Sequence, residues 1–238
     1  MAGSLRGEPE AAIKHFLVEI RLASDCMTQI ARVLFAGAIA FAVTDWVAVV
    51  RGKQRLRWVA KPAVIVLLIG VVALLQRSSG PERAAFAGAL LFCLAGDLLL
   101  LAGDRWFRAG LAAFLVAHLA YGTGFLVGGV NRGLLVSAAV AVAIVSLGFG
   151  SRVLLAILQS GSRRMAGPVA AYVVAISAML TLAAASGKPT AVAGAVLFYA
   201  SDGLIAWNRF VRPLPWSPLP VMVTYHLGQL GLVLSLAS

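Results

Sequence analysis

The sequence predicts an all-α integral membrane protein, a bundle of about eight transmembrane helices. Composition is the first reason: 61% of the 238 residues are hydrophobic, 12% are charged, and the mean hydropathy is +0.94. Soluble domains are far less apolar. The second reason is that apolar runs recur along the chain, each near the ~20 residues a helix needs to cross a bilayer. We therefore predict one transmembrane domain over residues 29–238 and no soluble domain.

The predicted spans are 30–50, 61–76, 83–102, 107–128, 133–158, 163–186, 188–210 and 217–237. The second is short for a full crossing. The fifth is long, and its apolar part lies nearer to 133–150. Abundant small residues, including 24 glycines, favour close packing between membrane helices.

Residues 1–28 form a polar N-terminal tail of mixed charge. Ile13, Phe16, Leu17 and Ile20 follow helical spacing, which is typical of an amphipathic helix lying at the membrane interface. A disordered tail fits the same composition. Because the first long apolar run starts only near residue 30, we expect no cleavable signal peptide.

The formal charge of +11 comes from basic residues in the predicted loops, so it indicates membrane topology and not a nucleic-acid partner. The loops after the odd-numbered helices are the richest: Arg51, Lys53, Arg55, Arg57, Lys61, Arg105, Arg108, Arg152, Arg163, Arg164, Arg209 and Arg212. Positive-inside logic places these loops in the cytoplasm and both termini outside. The high Ala, Gly and Arg content is typical of a GC-rich bacterial genome, so we expect a multi-pass protein of the inner cell membrane.

Two apolar segments, residues 88–97 and 194–202, each contain one carboxylate. Both begin Gly-Ala-x-Leu-Phe and reach an aspartate four or five residues later, Asp97 and Asp202. A carboxylate in hydrocarbon is costly unless it is paired, protonated or facing water. The two acids could simply cap or pair within the bundle, but their matching settings favour a functional pair.

Asp97 and Asp202 lie in the third and seventh predicted helices, four spans apart. An even offset gives the two copies the same orientation in the membrane. This predicts two parallel four-helix repeats, helices 1–4 and 5–8. Similarity over about ten residues also arises by chance, which is the alternative.

Polar residues from several helices converge in one half of the membrane. At 1.5 Å per residue, Asp97 lies about 8 Å and Asp202 about 12 Å in from the side of the odd-numbered loops. Lys61 is predicted at the mouth on that side. The other converging residues are His118, Tyr172, Tyr225 and Gln229. The convergence predicts a polar cavity that opens to one leaflet.

Each of these residues also has a purely structural interpretation. His118 and Tyr121 could form a satisfied hydrogen-bonded pair, and Lys61 could be an interfacial lysine with its head in water. Tyr172 and Tyr225 could be packing residues. Asp45 could pair with a nearby Lys or Arg, while His226 points to another face of its helix than its neighbour Tyr225. Ser201 has no Gly-x-Ser-x-Gly frame, so it is not predicted to be a nucleophile.

One set of residues has a recognisable order and spacing. It comprises Lys61 and Pro62, taken to open the second helix; Gly96, Asp97, Leu98, Leu99 and Leu100; Phe107, Gly110, Leu111, Phe114, His118 and Tyr121; Tyr172 and Met179; Gly194, Ala195, Phe198, Ser201, Asp202 and Phe210; and Tyr225 and Gln229. From about residue 60 to the end, the chain resembles the YhhN-like lysoplasmalogenases, multi-pass membrane hydrolases. The tail and Asp45 fall outside this pattern and receive no role.

The resemblance implies cleavage of the vinyl ether bond of a lysoplasmalogen, giving a fatty aldehyde and a glycerophospho-headgroup. The predicted catalytic residues are Asp97, Asp202 and His118. The predicted substrate-binding residues are Lys61, Tyr121, Tyr172, Ser201, Tyr225 and Gln229. The partners implied are a lysophospholipid substrate and the lipid bilayer, with no cofactor.

Vinyl ethers hydrolyse by acid catalysis, in which a proton adds to the alkene carbon and water then adds to an oxocarbenium-like cation. Two carboxyl groups in different environments can supply the acid and the anion, as in glycoside hydrolysis. We expect Asp202 to be the acid because it is predicted to be deeper and drier. His118 and Tyr121 would orient the pair or the water, and Lys61 with nearby arginines would hold the phosphate.

Three rival functions remain at this stage. A zinc-dependent, amidase-like lipid hydrolase would want about three histidines, whereas the chain has His15, His118 and His226, with His15 in the tail, so no metal site is predicted. A small-molecule or ion transporter also uses parallel repeats and midplane acids. A non-catalytic lipid-binding or assembly protein is the third alternative. Cys26 and Cys93 lie in the tail and in an apolar run, so neither a disulfide nor a thiolate metal site is expected.

Overall fold

The computed structural model describes residues 18 and 27–237 of the chain. The polar tail, residues 1–28, for which an amphipathic helix and a disordered segment were the two expectations, lies almost wholly outside the described residues. The described part contains eight α-helices and no strand, which confirms the predicted all-α class. The helices are α1 (Gln29–Val50), α2 (Gln54–Leu74), α3 (Gly80–Leu101), α4 (Phe107–Gly128), α5 (Arg132–Gln159), α6 (Ala166–Ala185), α7 (Pro189–Ala206) and α8 (Pro218–Leu234).

The first seven helices are long and apolar enough to cross a membrane, and α8 is a shorter apolar helix of 17 residues. The protein is therefore a multi-pass membrane protein. Side-chain caps begin several helices, since Thr28, Ser79 and Asn131 each accept a hydrogen bond from a backbone N–H of the first turn. Pro189 and Pro218 occupy the first turns of α7 and α8, where their missing N–H costs nothing.

The second helix differs from the prediction. It begins at Gln54, about two turns before the predicted start at residue 61, and it contains Pro62 in its interior. The expectation that Lys61 and Pro62 open this helix was wrong. Arg55 and Arg57 lower the hydropathy of the first two turns, so the sequence indicated a loop there. The backbone nevertheless continues as a regular helix through both residues.

Consecutive helices pack in pairs: α1 with α2, α3 with α4, α5 with α6, and α7 with α8. Packing of α4 on α6, and of α1 and α2 on α8, joins the two halves. The same pairing in both halves is consistent with two parallel four-helix repeats. A hydrogen-bonded ion pair of 2.9 Å between Arg209 and Asp104 also joins the segments that follow α7 and α3, so both helices end on the same side of the membrane.

The duplicated Gly-Ala-x-Leu-Phe segments do not occupy equivalent environments. A Cβ atom on Gly194 would lie 2.6 Å from the backbone nitrogen of Leu232, so glycine lets α7 and α8 approach closely, whereas Gly88 faces open space. Phe198 is fully buried and Phe92 is 43% exposed. Gly88 and Gly194 are 106 positions apart, whereas Asp97 and Asp202 are 105 apart, so the five-residue match is out of step with the two aspartates by one residue. Asp104 and Arg209, which form the ion pair, are also 105 positions apart.

Candidate active site

Asp97 lies one turn before the end of α3, and its side chain is completely buried. The Nζ atom of Lys61, from α2, lies 2.9 Å from its Oδ1 atom. The Tyr225 hydroxyl, from α8, donates to its Oδ2 atom at 2.8 Å. Both carboxylate oxygens of Asp97 are therefore engaged, one of them by a cation.

Asp202 lies near the end of α7, and its side chain is 13% exposed. The Tyr172 hydroxyl, from α6, donates to its Oδ2 atom at 2.6 Å. His118 Nε2, from α4, lies 3.2 Å from the same oxygen and 3.0 Å from the Tyr172 hydroxyl. No hydrogen bond from the described residues reaches Oδ1 of Asp202, so this oxygen is available to carry a proton or to bind a ligand.

The two aspartates have corresponding surroundings in the two halves of the bundle. Asp97 of α3 is held from α2 and α8, and Asp202 of α7 is held from α6 and α4. Adding four to the helix number relates the two sets: α3 corresponds to α7 and α2 to α6. The count continues from the last helix to the first, so α8 corresponds to α4. The side chains differ, however: a lysine and a tyrosine hold the first acid, and a tyrosine and a histidine hold the second. The fold thus gives two acids different chemical environments in equivalent positions.

Both aspartates line one cavity of about 90 Å³ in the half of the bundle that contains the odd-numbered loops. Lys61, Tyr172, Tyr225 and Ser201 line it with them. The remaining walls are largely apolar and include Leu111, Phe114, Phe149, Val169, Val173 and Ile176. A few polar groups in an apolar pocket are typical of a site for an amphipathic small molecule.

The other predicted site residues lie behind the cavity or take part in structure. His118 is fully buried, outside the lining, with its ring centroid 4.9 Å from that of Phe198. Tyr121 donates a hydrogen bond of 2.6 Å to Gln229 Oε1, and neither residue lines the cavity. Tyr121 and Gln229 are therefore placed to support the site and not to touch a ligand. Ser201 reaches the cavity wall, while its hydroxyl donates to the backbone oxygen of Val221 at 3.0 Å.

Two expectations about exposure were wrong. Lys61 is not exposed at the start of its helix: it is 4% exposed, because the earlier start of α2 places it inside the helix and against Asp97. Asp202 is not the drier acid, because its side chain is 13% exposed and that of Asp97 is fully buried. The structural alternative for His118 and Tyr121, a hydrogen bond between the two, is not found: each bonds instead to a residue of another helix.

Asp45 and His226 are both fully buried outside the lining of this cavity. Asp45 Oδ1 accepts a hydrogen bond of 3.2 Å from the Nε–H of Arg57. This agrees with the structural interpretation of Asp45, in which it pairs with a nearby Lys or Arg. His226 Nδ1 accepts one of 3.0 Å from the Trp46 indole. Sequence reasoning missed Arg57 as an individual site candidate. Its spacing of four residues from Lys61, which puts both on one face of α2, is the signal that could have found it.

Within residues 27–237, no group of three or more His, Cys, Asp and Glu side chains lies close enough to hold a metal ion. Cys93 is a buried free thiol.

Comparison with known proteins identifies the family. The YhhN family profile matches residues 56–236. The human protein named lysoplasmalogenase TMEM86B is 35% identical over 186 residues, which cover 77% of each chain. Its mouse counterpart is 40% identical over 148 residues, covering 62% of this chain and 61% of its own. A Mycobacterium bovis protein named lysoplasmalogenase is 32% identical over 187 residues, covering 75% of this chain and 69% of its own.

No solved structure gives a significant match to this chain. The family profile covers most of the sequence, from the first turn of α2 to the residues after α8, and therefore includes both aspartates and all their partners. The resemblance identified from the order and spacing of residues along the sequence is thus confirmed, and the chain belongs to the YhhN family.

Proposed function

We propose that this chain is a membrane hydrolase that cleaves the vinyl ether bond of lysoplasmalogens, with Asp202 as general acid and Asp97 as the anionic partner. The activity named for its relatives supports the reaction class. One observation carries the mechanism: two aspartates with unlike partners line a single, largely apolar cavity.

The partners divide the roles between the two acids. Asp97 contacts the Lys61 ammonium with one oxygen and the Tyr225 hydroxyl with the other, which suits a permanent carboxylate anion. Asp202 receives both of its contacts on Oδ2, from Tyr172 and His118. Its Oδ1 can therefore hold a proton that faces the cavity. These contacts, and not depth in the membrane, favour Asp202 as the acid.

In the first step, the Asp202 carboxyl transfers its proton to the alkene carbon that is not bonded to oxygen. The adjacent carbon becomes an oxocarbenium ion, which the Asp97 carboxylate stabilises electrostatically in a site of low dielectric. Water adds to this carbon and gives a proton back to Asp202, forming a hemiacetal.

The hemiacetal then collapses: its hydroxyl proton is lost, the bond from carbon to the glycerol oxygen breaks, and that oxygen takes up a proton. The products are a fatty aldehyde and a glycerophospho-compound, and one water is consumed. His118 would act by holding the Asp202 carboxyl and Tyr172 in register, because it contacts both from behind the cavity. The apolar walls from α4, α5 and α6 would receive the alkenyl chain.

The test is aldehyde release from a lysoplasmenyl lipid by purified protein in detergent, compared with Asp97→Asn and Asp202→Asn. Each substitution keeps the shape of the side chain but removes its charge or its transferable proton. General acid catalysis contributes about 10²–10⁴-fold, so we expect losses of that order in kcat from Asp202→Asn. A chelator should leave the rate unchanged.

Asp104→Asn is the matched control for kcat, because this carboxylate does not line the cavity that contains the two aspartates and its side chain is 90% exposed. Full turnover by both folded site variants would refute the two-aspartate mechanism. Absence of aldehyde from the folded wild-type protein would refute the proposed activity. Aldehyde release that stops with chelator would favour the metal-dependent alternative, and substrate flux without turnover in proteoliposomes would favour a transporter.

A further inference from the structure

A second, more polar cavity adjoins the candidate active site. Its volume is about 350 Å³, and it lies towards the connections that follow α1, α3 and α7. Five residues line both cavities, Lys61, Leu100, Phe107, Ile205 and Met222. A molecule with an apolar end and a polar end could therefore occupy both at once. We call this second space the mouth cavity.

The mouth cavity carries more positive than negative charge. Arg57, Lys61 and Arg209 line it, against Asp104 as its one lining carboxylate among the described residues. Gln54 and Asn208 add neutral polar groups. A cationic, partly enclosed space next to an apolar one suits the phosphate group of a lipid headgroup.

Arg57 is the best placed of these cations to bind an anion. Its side chain is 19% exposed, and its Nε–H donates to Asp45 Oδ1 at 3.2 Å. No described residue accepts a hydrogen bond from its two terminal amino groups. A guanidinium held at Nε still presents these two groups as a fork, the geometry that matches two phosphate oxygens.

The other two cations are already committed. Lys61 lies 2.9 Å from Asp97. Arg209 donates to Asp104 and stacks on the Phe107 ring, 3.8 Å from its centroid. Arg57 differs because its acidic partner, Asp45, is fully buried in α1 and does not line the cavity. Asp45 therefore orients the guanidinium from behind and leaves its outer face to the cavity.

The position of Arg57 also fits the distance that the substrate imposes. Arg57 precedes Lys61 by one helical turn, about 6 Å along α2, on the same helix face. Lys61 marks the boundary with the cavity that contains both aspartates. In a lysoplasmalogen, the glycerol backbone separates the phosphate from the vinyl ether oxygen by a comparable length.

We propose that Arg57, oriented by Asp45 of α1, binds the phosphate of the lysophospholipid headgroup in the mouth cavity while the alkenyl chain lies beside the two aspartates. This inference rests on the proposed function for its substrate class. It gives α1, all of which precedes the family match that begins at residue 56, a role in substrate binding. Asp45 is a positioning residue, since it acts through Arg57.

The first test measures binding without turnover. The probes are 1-O-hexadecyl-glycero-3-phosphoethanolamine, whose saturated ether does not undergo vinyl ether hydrolysis, and 1-O-hexadecylglycerol, which has the same chain but no phosphate. Affinity is read from ligand-dependent thermal stabilisation of the full chain in detergent. We expect Arg57→Gln to weaken binding of the phosphate probe at least about tenfold and to change binding of the alkylglycerol less than about twofold.

Arg55→Gln is the matched control, because Arg55 is an exposed arginine of the same first turns of α2 that does not line the cavity. It should leave both affinities unchanged. Arg57→Lys keeps the charge without the fork and should lose part of the phosphate affinity, which provides a milder variant if Arg57→Gln does not fold. Equal weakening of both probes by Arg57→Gln, or the same effect from Arg55→Gln, would overturn the proposal.

The second test uses turnover and separates a positioning role from a general structural one. Asp45→Asn should raise KM for the lysoplasmenyl phospholipid several-fold with little change in kcat, and should not change KM for 1-alkenylglycerol. A parallel fall in kcat on both substrates would mean that Asp45 only supports the fold. If the wild type turned over neither substrate, the proposed function would fail, while the binding test would still decide the phosphate site.

A final arm distinguishes the lipid headgroup from a free anion. Inorganic phosphate and glycerophosphoethanolamine are added as competitors of the phosphate probe. If inorganic phosphate bound in an Arg57-dependent way while Arg57→Gln left the affinity of the phospholipid probe unchanged, the headgroup assignment would be wrong. Competition by glycerophosphoethanolamine that is lost in Arg57→Gln supports it.

Discussion

The ion pair between Lys61 and Asp97 permits a quantitative test of how the site is held together. The Nζ and Oδ1 atoms lie 2.9 Å apart, and the side chains are 5% and 0% exposed. With an effective dielectric constant of about 20, Coulomb's law gives an attraction of about 6 kcal/mol at this distance, before the cost of removing both groups from water. Breaking such a buried pair from one side typically costs about 3–5 kcal/mol, because the remaining charge stays buried without its partner.

We therefore expect Lys61→Met to lower the free energy of unfolding by about 3–5 kcal/mol. The double variant Lys61→Met/Asp97→Asn should recover most of this loss, since an apolar side chain and a neutral amide leave no unpaired charge. For a chain of this length, each kcal/mol corresponds to about 2–4 °C in Tm. Thermal unfolding of the four proteins of the cycle in one detergent, at one protein concentration, gives the coupling.

A stabilising ion pair would be refuted if Lys61→Met were as stable as the wild type, or if the two substitutions destabilised additively. Additivity would mean that the two groups do not interact across the 2.9 Å contact. Aldehyde release should be lost in both the single and the double variant. Stability recovered without activity would separate the structural role of this pair from its role in the proposed chemistry.

Two further predictions concern the second acid and the packing of α7 on α8. Tyr172→Phe removes the 2.6 Å hydrogen bond to Asp202 Oδ2 and should lower kcat about 10- to 100-fold with little change in Tm, which aldehyde release and thermal unfolding of the same preparation would show. An unchanged kcat would exclude a role for this bond. Gly194→Ala places a Cβ atom 2.6 Å from backbone of α8 and should destabilise by about 1–3 kcal/mol, whereas Gly88→Ala, in open space, should be neutral or slightly stabilising. Equal Tm values for the two alanine variants would contradict the assigned packing.

The sequence alone determined the architecture because hydrocarbon restricts what a chain can do. Runs of about 20 apolar residues must form helices in a membrane, since each backbone group needs a partner within its own segment. The same constraint made Asp97 and Asp202 conspicuous, because an acid in such a run is costly unless it is paired, protonated or facing water. The eight helices, the two acids and the family could therefore be predicted from the order of residues.

Boundaries and helix environments were harder to predict where polar residues are buried. The first two turns of α2 contain Arg55 and Arg57, so hydropathy treated them as a loop and placed Lys61 at an opening. Hydropathy scores a side chain by its transfer from water and takes no account of a partner on another helix. Asp97 supplies that partner, and its position relative to α2 is not encoded in any local pattern.

The tertiary structure alone decided which side chain holds which acid. Lys61 and Tyr225 lie 36 residues before and 128 residues after Asp97 in the chain, and they meet it only because α2 packs against α3 and α8 packs against α2. Depth counted along single helices gave Asp202 as the drier acid, but burial depends on the neighbouring helices, which cover Asp97 completely. Periodicity and composition are properties of one segment, whereas the environments of two acids are distinguished by contacts between segments. The sequence therefore determined that two acids share one membrane bundle, and the packing of the helices decided how their environments differ.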